Sequence, residues 1–107
     1  MSSATGELTP VFAALGDDTR WAILVRVGEA PASASALARE LPVSRQAIVK
    51  HLEVLTAAGL VESERQGREL VHRALGGRLS DVARELEKIG QAWDRRLARI
   101  KRLAEGS

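Results

Sequence analysis

The stretch "SRQAIVKHLEVLTAAGLV", residues 44–61, contains a helix with two different faces. Three apolar residues recur every three or four positions and are expected to face a core: Ile48, Leu52, Leu55. Ser44 is a favourable N-cap residue, and Gly59 can take the left-handed conformation that follows many helix C-termini. The sequence therefore predicts a helix over 45–58 that packs by one face.

The opposite face of this helix carries groups that can read DNA bases. Its first two turns project four side chains away from the predicted core: Arg45, Gln46, Val49, Lys50. Arginine pairs with guanine, glutamine pairs with adenine, and valine can touch a thymine methyl. Lys50 can contact guanine or a phosphate, and Ser44 can meet a phosphate at the helix N-terminus. We interpret these residues as major-groove contacts, with an ordinary solvated face as the alternative.

A second helix, a turn and a hairpin surround this helix in the sequence. The segment "ASALAREL", 34–41, predicts a helix capped by Ser33, so that residues 33–58 form a helix-turn-helix. Over 60–75 the pattern changes to strand, turn and strand, with the turn at "QG", where Gly67 can take a positive φ. Two strands are marginal alone, so the hairpin is expected to lean on the helices as a wing.

Further helices are predicted on both sides of this unit. Asp17 should cap a helix over 18–29, and Thr9 with Pro10 should begin a shorter helix before it. The last predicted helix runs over about 79–103. Its apolar stripe spans about seven turns at ~3.6 residues per turn, which is more than a domain this small needs to cover itself. We therefore expect part of the stripe to pack against a second copy of the chain.

Composition limits the class of protein. The 107 residues fit a single domain, 1–107, and include no cysteine, which excludes disulfides, thiolate metal sites and cysteine nucleophiles. No apolar run approaches the ~18 residues of a membrane span, and the N-terminus lacks a signal-peptide pattern, so we expect a cytoplasmic protein. The net charge is +2, and its positive excess lies in the second half, which is consistent with a nucleic-acid partner.

Neither catalysis nor metal binding is indicated. The sequence offers no supported nucleophile–base pair, phosphate-binding glycine loop or carboxylate pair, so we expect no enzymatic activity. The two histidines, His51 and His72, fall in different predicted elements. His51 lies beside the core face of its helix and is expected to pack or bond locally. Because zinc and soft metals require several nitrogen or sulfur ligands, we expect no metal site and no cofactor.

Three segments together resemble the ArsR/SmtB family of winged helix-turn-helix repressors. They are "LGDDTRWAIL" at 15–24, "SRQAIVKHLEVLTAAGLV" at 44–61 and "ERQGRELVHRAL" at 64–75. The resemblance extends over about 8–103, and the closing "AWDRRLARIKRLAE" is similar to the metal-independent, autorepressor-type branch. It implies a mainly α fold of about five helices with a small β-hairpin wing.

The resemblance also implies a homodimeric repressor that binds a palindromic operator in double-stranded DNA. The family's DNA contacts carry over onto these positions: Ser44, Arg45, Gln46, Val49, Lys50, Arg65, Gln66, Arg68. Position 49 commonly holds serine in the family, and Val49 departs from that pattern. The family's dimer interface, on the first and last helices, carries over onto these: Leu8, Phe12, Leu86, Ile89, Trp93, Leu97, Ile100.

Other functions remain open on the sequence alone. A ligand-gated sensor would bind the same DNA and release it on binding an apolar metabolite, whose identity is unknown. A winged-helix protein-interaction module would need no DNA. RNA binding is disfavoured because only 3% of the residues are aromatic: Phe12, Trp21, Trp93. For the arginines at 65 and 68, the alternative to DNA contact is an edge hairpin kept soluble by charge.

Overall fold

The computed structural model describes residues 3–89 and 94–106 and shows six helices and three strands there. The helices are α1 (Ser3–Leu15), α2 (Asp18–Glu29), α3 (Ala34–Glu40), α4 (Arg45–Ala57), α5 (Gly76–Ile89) and α6 (Asp94–Glu105). The strands are β1 (Ala32–Ser33), β2 (Val61–Gln66) and β3 (Glu69–Ala74). None of the described helices is long and apolar enough to cross a membrane. The predicted fold class, mainly α with a small β wing, is confirmed.

Short polar side chains begin three of the helices. Asp17, Ser33 and Ser44 each accept a hydrogen bond from the backbone N–H three residues further on, at 2.9 Å for Asp17 and 3.1 Å for both serines. Each bond satisfies one of the N–H groups that a helix N-terminus leaves without an internal partner. The predicted starts of α2, α3 and α4 are therefore confirmed.

The end of α4 leads the chain directly into the wing. Gly59 has a φ of +78°, and its N–H donates to the Thr56 carbonyl at 3.0 Å. The N–H of Leu60 donates to the Leu55 carbonyl, also at 3.0 Å. This pair of bonds is a Schellman motif, which needs the left-handed glycine that the sequence predicts. Because Leu60 is fully buried, the motif also anchors the chain at the base of the wing.

The wing is an antiparallel hairpin in a three-stranded sheet ordered β1-β3-β2. Gln66 pairs with Glu69, so the turn consists of Gly67 and Arg68, one residue later than the predicted "QG" turn. Gly67 has a φ of +64°. A positive φ at the first of two central residues is typical of a type II′ turn, whose twist matches the flanking strands.

Strand β1 is an element that the sequence pattern does not predict. It contains two residues, too few to show the alternation by which strands are recognised. Ala32 pairs with His72, and Ser33 pairs with Val71. Through these pairs β1 covers the second edge of β3 and joins the wing to the start of α3.

Helix α1 begins at Ser3, so the predicted start at Thr9 and Pro10 is wrong. Pro10 lies inside the helix, where it lacks the N–H that would donate to the carbonyl of residue 6. Three residues after the proline are buried in the core: Val11, Ala14, Leu15. Tertiary packing of this kind stabilises helices more than local propensity does, and it overrides the local signal for a helix start.

The predicted single helix over 79–103 is also wrong, because the chain forms α5 and α6 there and the two pack against each other. The Lys101 Nζ donates to a Glu87 carboxylate oxygen at 2.6 Å, although 14 residues separate them. In one continuous helix that separation would be about 21 Å, at ~1.5 Å per residue. Five described residues of the apolar stripe are buried within the chain: Leu79, Val82, Leu86, Ile100, Leu103.

One apolar cluster joins the helices to the base of the wing. It includes the predicted inward face of α4, all of it buried: Ile48, Leu52, Leu55. Leu86 and Ile100, which the resemblance assigns to a dimer interface, are fully buried in this same cluster. Phe12 and Leu97 are partly buried against it. Trp93 lies outside the described residues, as do the side chains of Leu8 and Ile89.

Gly28 lies where α6 packs on α2. A Cβ built on Gly28 would stand 2.0 Å from Leu103 Cδ2 and 3.1 Å from Leu103 Cγ. Leu103 is itself buried, so its side chain has little room to move away. Glycine inside a helix costs stability relative to alanine, and at this position the missing side chain makes room for α6.

Gly28→Ala is expected to destabilise the fold by about 1–3 kcal/mol through overpacking. The better helix propensity of alanine should offset up to about 1 kcal/mol of this loss. Urea unfolding would measure the change. Gly77→Ala is the matched control, since a Cβ at Gly77 in α5 meets nothing within 4 Å. In a double-mutant cycle, Leu103→Ala should relieve most of the Gly28→Ala penalty; strictly additive losses would contradict the packing described for α6.

Candidate nucleic-acid interface

The predicted contact residues of α4 lie on the side opposite its buried face. Ser44, Arg45, Gln46 and Lys50 are exposed, and Val49 is half-buried. The first turn and a half of α4 thus presents a cation, an amide, an apolar group and a second cation. A partner can meet these side chains without any rearrangement of the core.

Arg45 is held in place by α3. Its Nε donates to the Ser35 Oγ at 3.0 Å. Because the bond uses only Nε, the two Nη atoms at the end of the side chain stay available to a ligand. Together they can donate two hydrogen bonds to guanine O6 and N7. Sequence reasoning missed Ser35 because the contact joins two helices, and ten residues separate the partners.

The tip of the wing carries the second predicted set of contacts. Arg65, Gln66 and Arg68 are all exposed, and Arg65 Nη1 lies 3.5 Å from the Arg68 carbonyl oxygen. On the outer face of the wing, Arg73 forms ion pairs with Glu62 and Glu64. Within the described chain, by contrast, the guanidinium groups at 65 and 68 form no ion pair with a carboxylate. The tip therefore keeps its positive charge for a partner.

A groove of about 720 Å³ separates α4 from the inner face of the wing. Arg45 and Val49 line it from α4, while Arg65 and Arg68 line it from the wing. The fold thus brings two distant segments of sequence to the borders of one groove. The other predicted contacts do not line the groove: Ser44, Gln46, Lys50, Gln66.

His72 lies on the wall of the groove, in the central strand of the sheet. It is 8% exposed, and its buried Nδ1 has no hydrogen-bond partner. Burial lowers the pKa of the imidazole below its ordinary value of 6.5, because the charged form would be poorly solvated there. Burial therefore favours the neutral form of His72 over the charged form.

His51 has a local structural role, as expected. Its Nδ1 is 3.4 Å from Arg20 Nη1. Arg20 Nε donates to the Ala14 carbonyl at 2.9 Å, and Arg20 Nη1 lies 3.9 Å from an Asp17 carboxylate oxygen. Arg20 thus joins α4 to the end of α1 and the start of α2. Across the described residues, no group of three or more His, Cys, Asp or Glu side chains is placed to hold a metal ion.

A helix-turn-helix followed by an antiparallel hairpin, with cations on the second helix and at the hairpin tip, defines a class of proteins. It is the winged helix-turn-helix class of DNA-binding regulators, in which the second helix enters the major groove. Residues 15–64 match a family model described as "Helix-turn-helix domain".

Individual relatives agree with this class. The HTH-type transcriptional regulator Rv2034 of Mycobacterium tuberculosis is 36% identical over 92 residues, covering 86% of this chain and 83% of that protein. The HTH-type transcriptional repressor SmtB of the same species is 34% identical over 79 residues, covering 74% of this chain and 56% of that protein. A solved structure of an ArsR-like transcriptional regulator from Rhodococcus sp. RHA1 is 60% identical, with a TM-score of 0.75, and covers 95% of this chain and 96% of that one.

The chain belongs to the ArsR/SmtB family of helix-turn-helix transcriptional regulators, and it is a regulator rather than an enzyme.

The stability of the fold should fall as the pH decreases below about 6.5. Because burial lowers the pKa of His72, the unfolded chain binds the proton more tightly than the folded chain in this range. The stabilisation is complete above pH 6.5 and is lost as the pH falls toward the lowered pKa. Urea unfolding between pH 7.5 and 5.5 would measure the slope. His72→Phe should flatten it; a slope in His72→Phe equal to that of the wild-type protein would contradict the assignment to His72.

Proposed function

We propose that this chain is a homodimeric repressor that binds a palindromic operator in double-stranded DNA. The observation that carries the proposal is the arrangement of exposed cations around one groove, with Arg45 on α4 and Arg65 and Arg68 on the wing. An α-helix fits the DNA major groove, and a hairpin beside it can reach the flanking backbone. In the proposed complex α4 contacts base edges and the wing tip contacts phosphates.

The residues divide into two kinds of contact. Arg45, Gln46 and Val49 would read base edges, and Val49 would supply an apolar contact where the family commonly has serine. Ser44, Lys50 and the wing-tip residues 65, 66 and 68 would meet the backbone, which sets affinity and register but carries no sequence information. Recognition would therefore depend on α4, and the wing would add general affinity.

A dimer would place two copies of α4 in successive major grooves, ~34–36 Å apart on one face of the DNA. The first and last helices supply the proposed interface. Phe12 and Leu97 are the predicted contacts whose described side chains keep some exposed surface, while Leu86 and Ile100 would support the interface from the core. The repressor role is supported by the name of the relative SmtB, and occupancy of a promoter would exclude polymerase.

The proposed repressor works without a sensory metal. The chain contains no cysteine and only two histidines, and these lie in different elements. A site for zinc or a softer metal normally draws several ligands from those two residue types. The protein would act in the cytoplasm, where it meets DNA.

The first experiment is binding to the DNA upstream of the protein's own gene, with excess nonspecific competitor. Binding is measured over a series of salt concentrations, with and without chelator. Sedimentation gives the mass of the complex. The proposal expects two chains per duplex and tight binding that weakens with salt because counterions are released, with no effect of chelator. If neither this DNA nor a duplex selected from a random library is bound better than random DNA, the operator-binding proposal is wrong.

Arg45→Ala is expected to reduce the preference for operator over random DNA by about 1–3 kcal/mol, because it removes a base contact. Ser35→Ala should reproduce part of this loss, because Ser35 positions the Arg45 guanidinium.

Arg65→Ala should instead weaken binding to all sequences and flatten the salt dependence by about one unit of slope. Fluorescence anisotropy with operator and scrambled duplexes would measure both effects.

Arg84→Ala is the control for these variants, since Arg84 lies on α5 and pairs with Asp81. It should leave both operator preference and salt dependence unchanged. An unchanged operator preference in Arg45→Ala would show that this arginine does not read a base.

A further inference from the structure

The groove between α4 and the wing has an exposed apolar side chain, Leu70, that the proposed DNA contacts do not use. Leu70 lines the groove from β3 and is 42% exposed. Val49 and Leu52 line it from α4. A phosphate backbone uses the cations of such a surface but gains nothing from an exposed leucine.

The placement of Leu70 follows from the register of the wing. Along β3, Leu70, His72 and Ala74 share one face by alternation, and the last two are buried. Leu70 therefore belongs to the inner face of the wing and stands directly opposite Arg65 on β2. The result is an apolar surface that continues from the core into the open groove.

The charged side chains that line the groove include more arginines than glutamates, so their sum is positive. Arg45, Arg65 and Arg68 line it, together with Glu53 and Glu69. Among the described ion pairs, none joins these two carboxylates to the three guanidinium groups. The volume of about 720 Å³ lies within the range of pockets that hold small molecules.

We propose that this groove binds a small amphipathic organic anion. Its apolar body would lie against Val49, Leu52 and Leu70, and its acidic group would meet the guanidinium groups at 45, 65 and 68. The regulatory consequence rests on the proposed function: because the anion takes the same arginines as DNA, the two exclude each other.

The experiment uses 8-anilinonaphthalene-1-sulfonate, an apolar aromatic body with one sulfonate, as the probe. Titration of the full-length protein, followed by fluorescence and calorimetry, should show saturable binding of one probe per chain. Leu70→Thr should weaken it about tenfold by removing apolar contact. Val54→Thr is the matched control, because Val54 is 40% exposed on α4 but does not line the groove. Both variants should keep the wild-type circular dichroism spectrum and urea midpoint.

Competition with DNA then separates this proposal from the proposed function. The probe should raise the apparent Kd of the wild-type protein for operator DNA. For Leu70→Thr, about tenfold more probe should be needed for the same rise in Kd. Without probe, the DNA affinity of Leu70→Thr should equal that of the wild-type protein. Equal probe binding by Leu70→Thr and Val54→Thr, or no saturable binding, would overturn the anion site while leaving DNA binding intact. Saturable binding that depends on Leu70, in a protein that binds no DNA, would uphold the site and overturn the proposed function.

Discussion

Burial of the inner face of α4 is the constraint on which the rest of the structure depends. Ile48, Leu52 and Leu55 are in the core, and their spacing fixes the rotation of the helix about its axis. Once that rotation is set, Arg45 and the residues near it must face outward. The left-handed Gly59 follows the end of the same helix and Leu60 is buried, so the position of α4 also sets where the wing begins.

Local chemistry made much of this fold predictable from the sequence. The caps at Asp17, Ser33 and Ser44 and the left-handed glycines at 59 and 67 each depend on a few neighbouring residues. The exposure of the candidate contacts on α4 followed from helical periodicity in the same way. These signals do not depend on what the segment packs against, which is why they survive in the folded chain.

The errors and omissions came from contacts between segments distant in sequence. An apolar stripe over 79–103 fits one long helix or two helices that cover each other, and the contacts of α6 with α5 and with α2 distinguish them. Strand β1 exists because it pairs with β3. The groove, the burial of His72 in its wall and the hydrogen bond from Arg45 to Ser35 likewise require two or three elements to meet.

The same geometry limits how this surface can be used. Arg73 on the outer face of the wing is paired with carboxylates, whereas Arg65 and Arg68 at the tip and Arg45 on α4 line one groove. A partner with negative charge gains most at that groove, whether the charge belongs to a phosphate backbone or to a small anion. In the proposed complexes DNA and an apolar anion share the arginines and Val49 but not Leu70, so a substitution at Leu70 can change the affinity for the anion without changing the affinity for DNA. A regulator built in this way could change its effector by substitutions at residues such as Leu70 while keeping its operator.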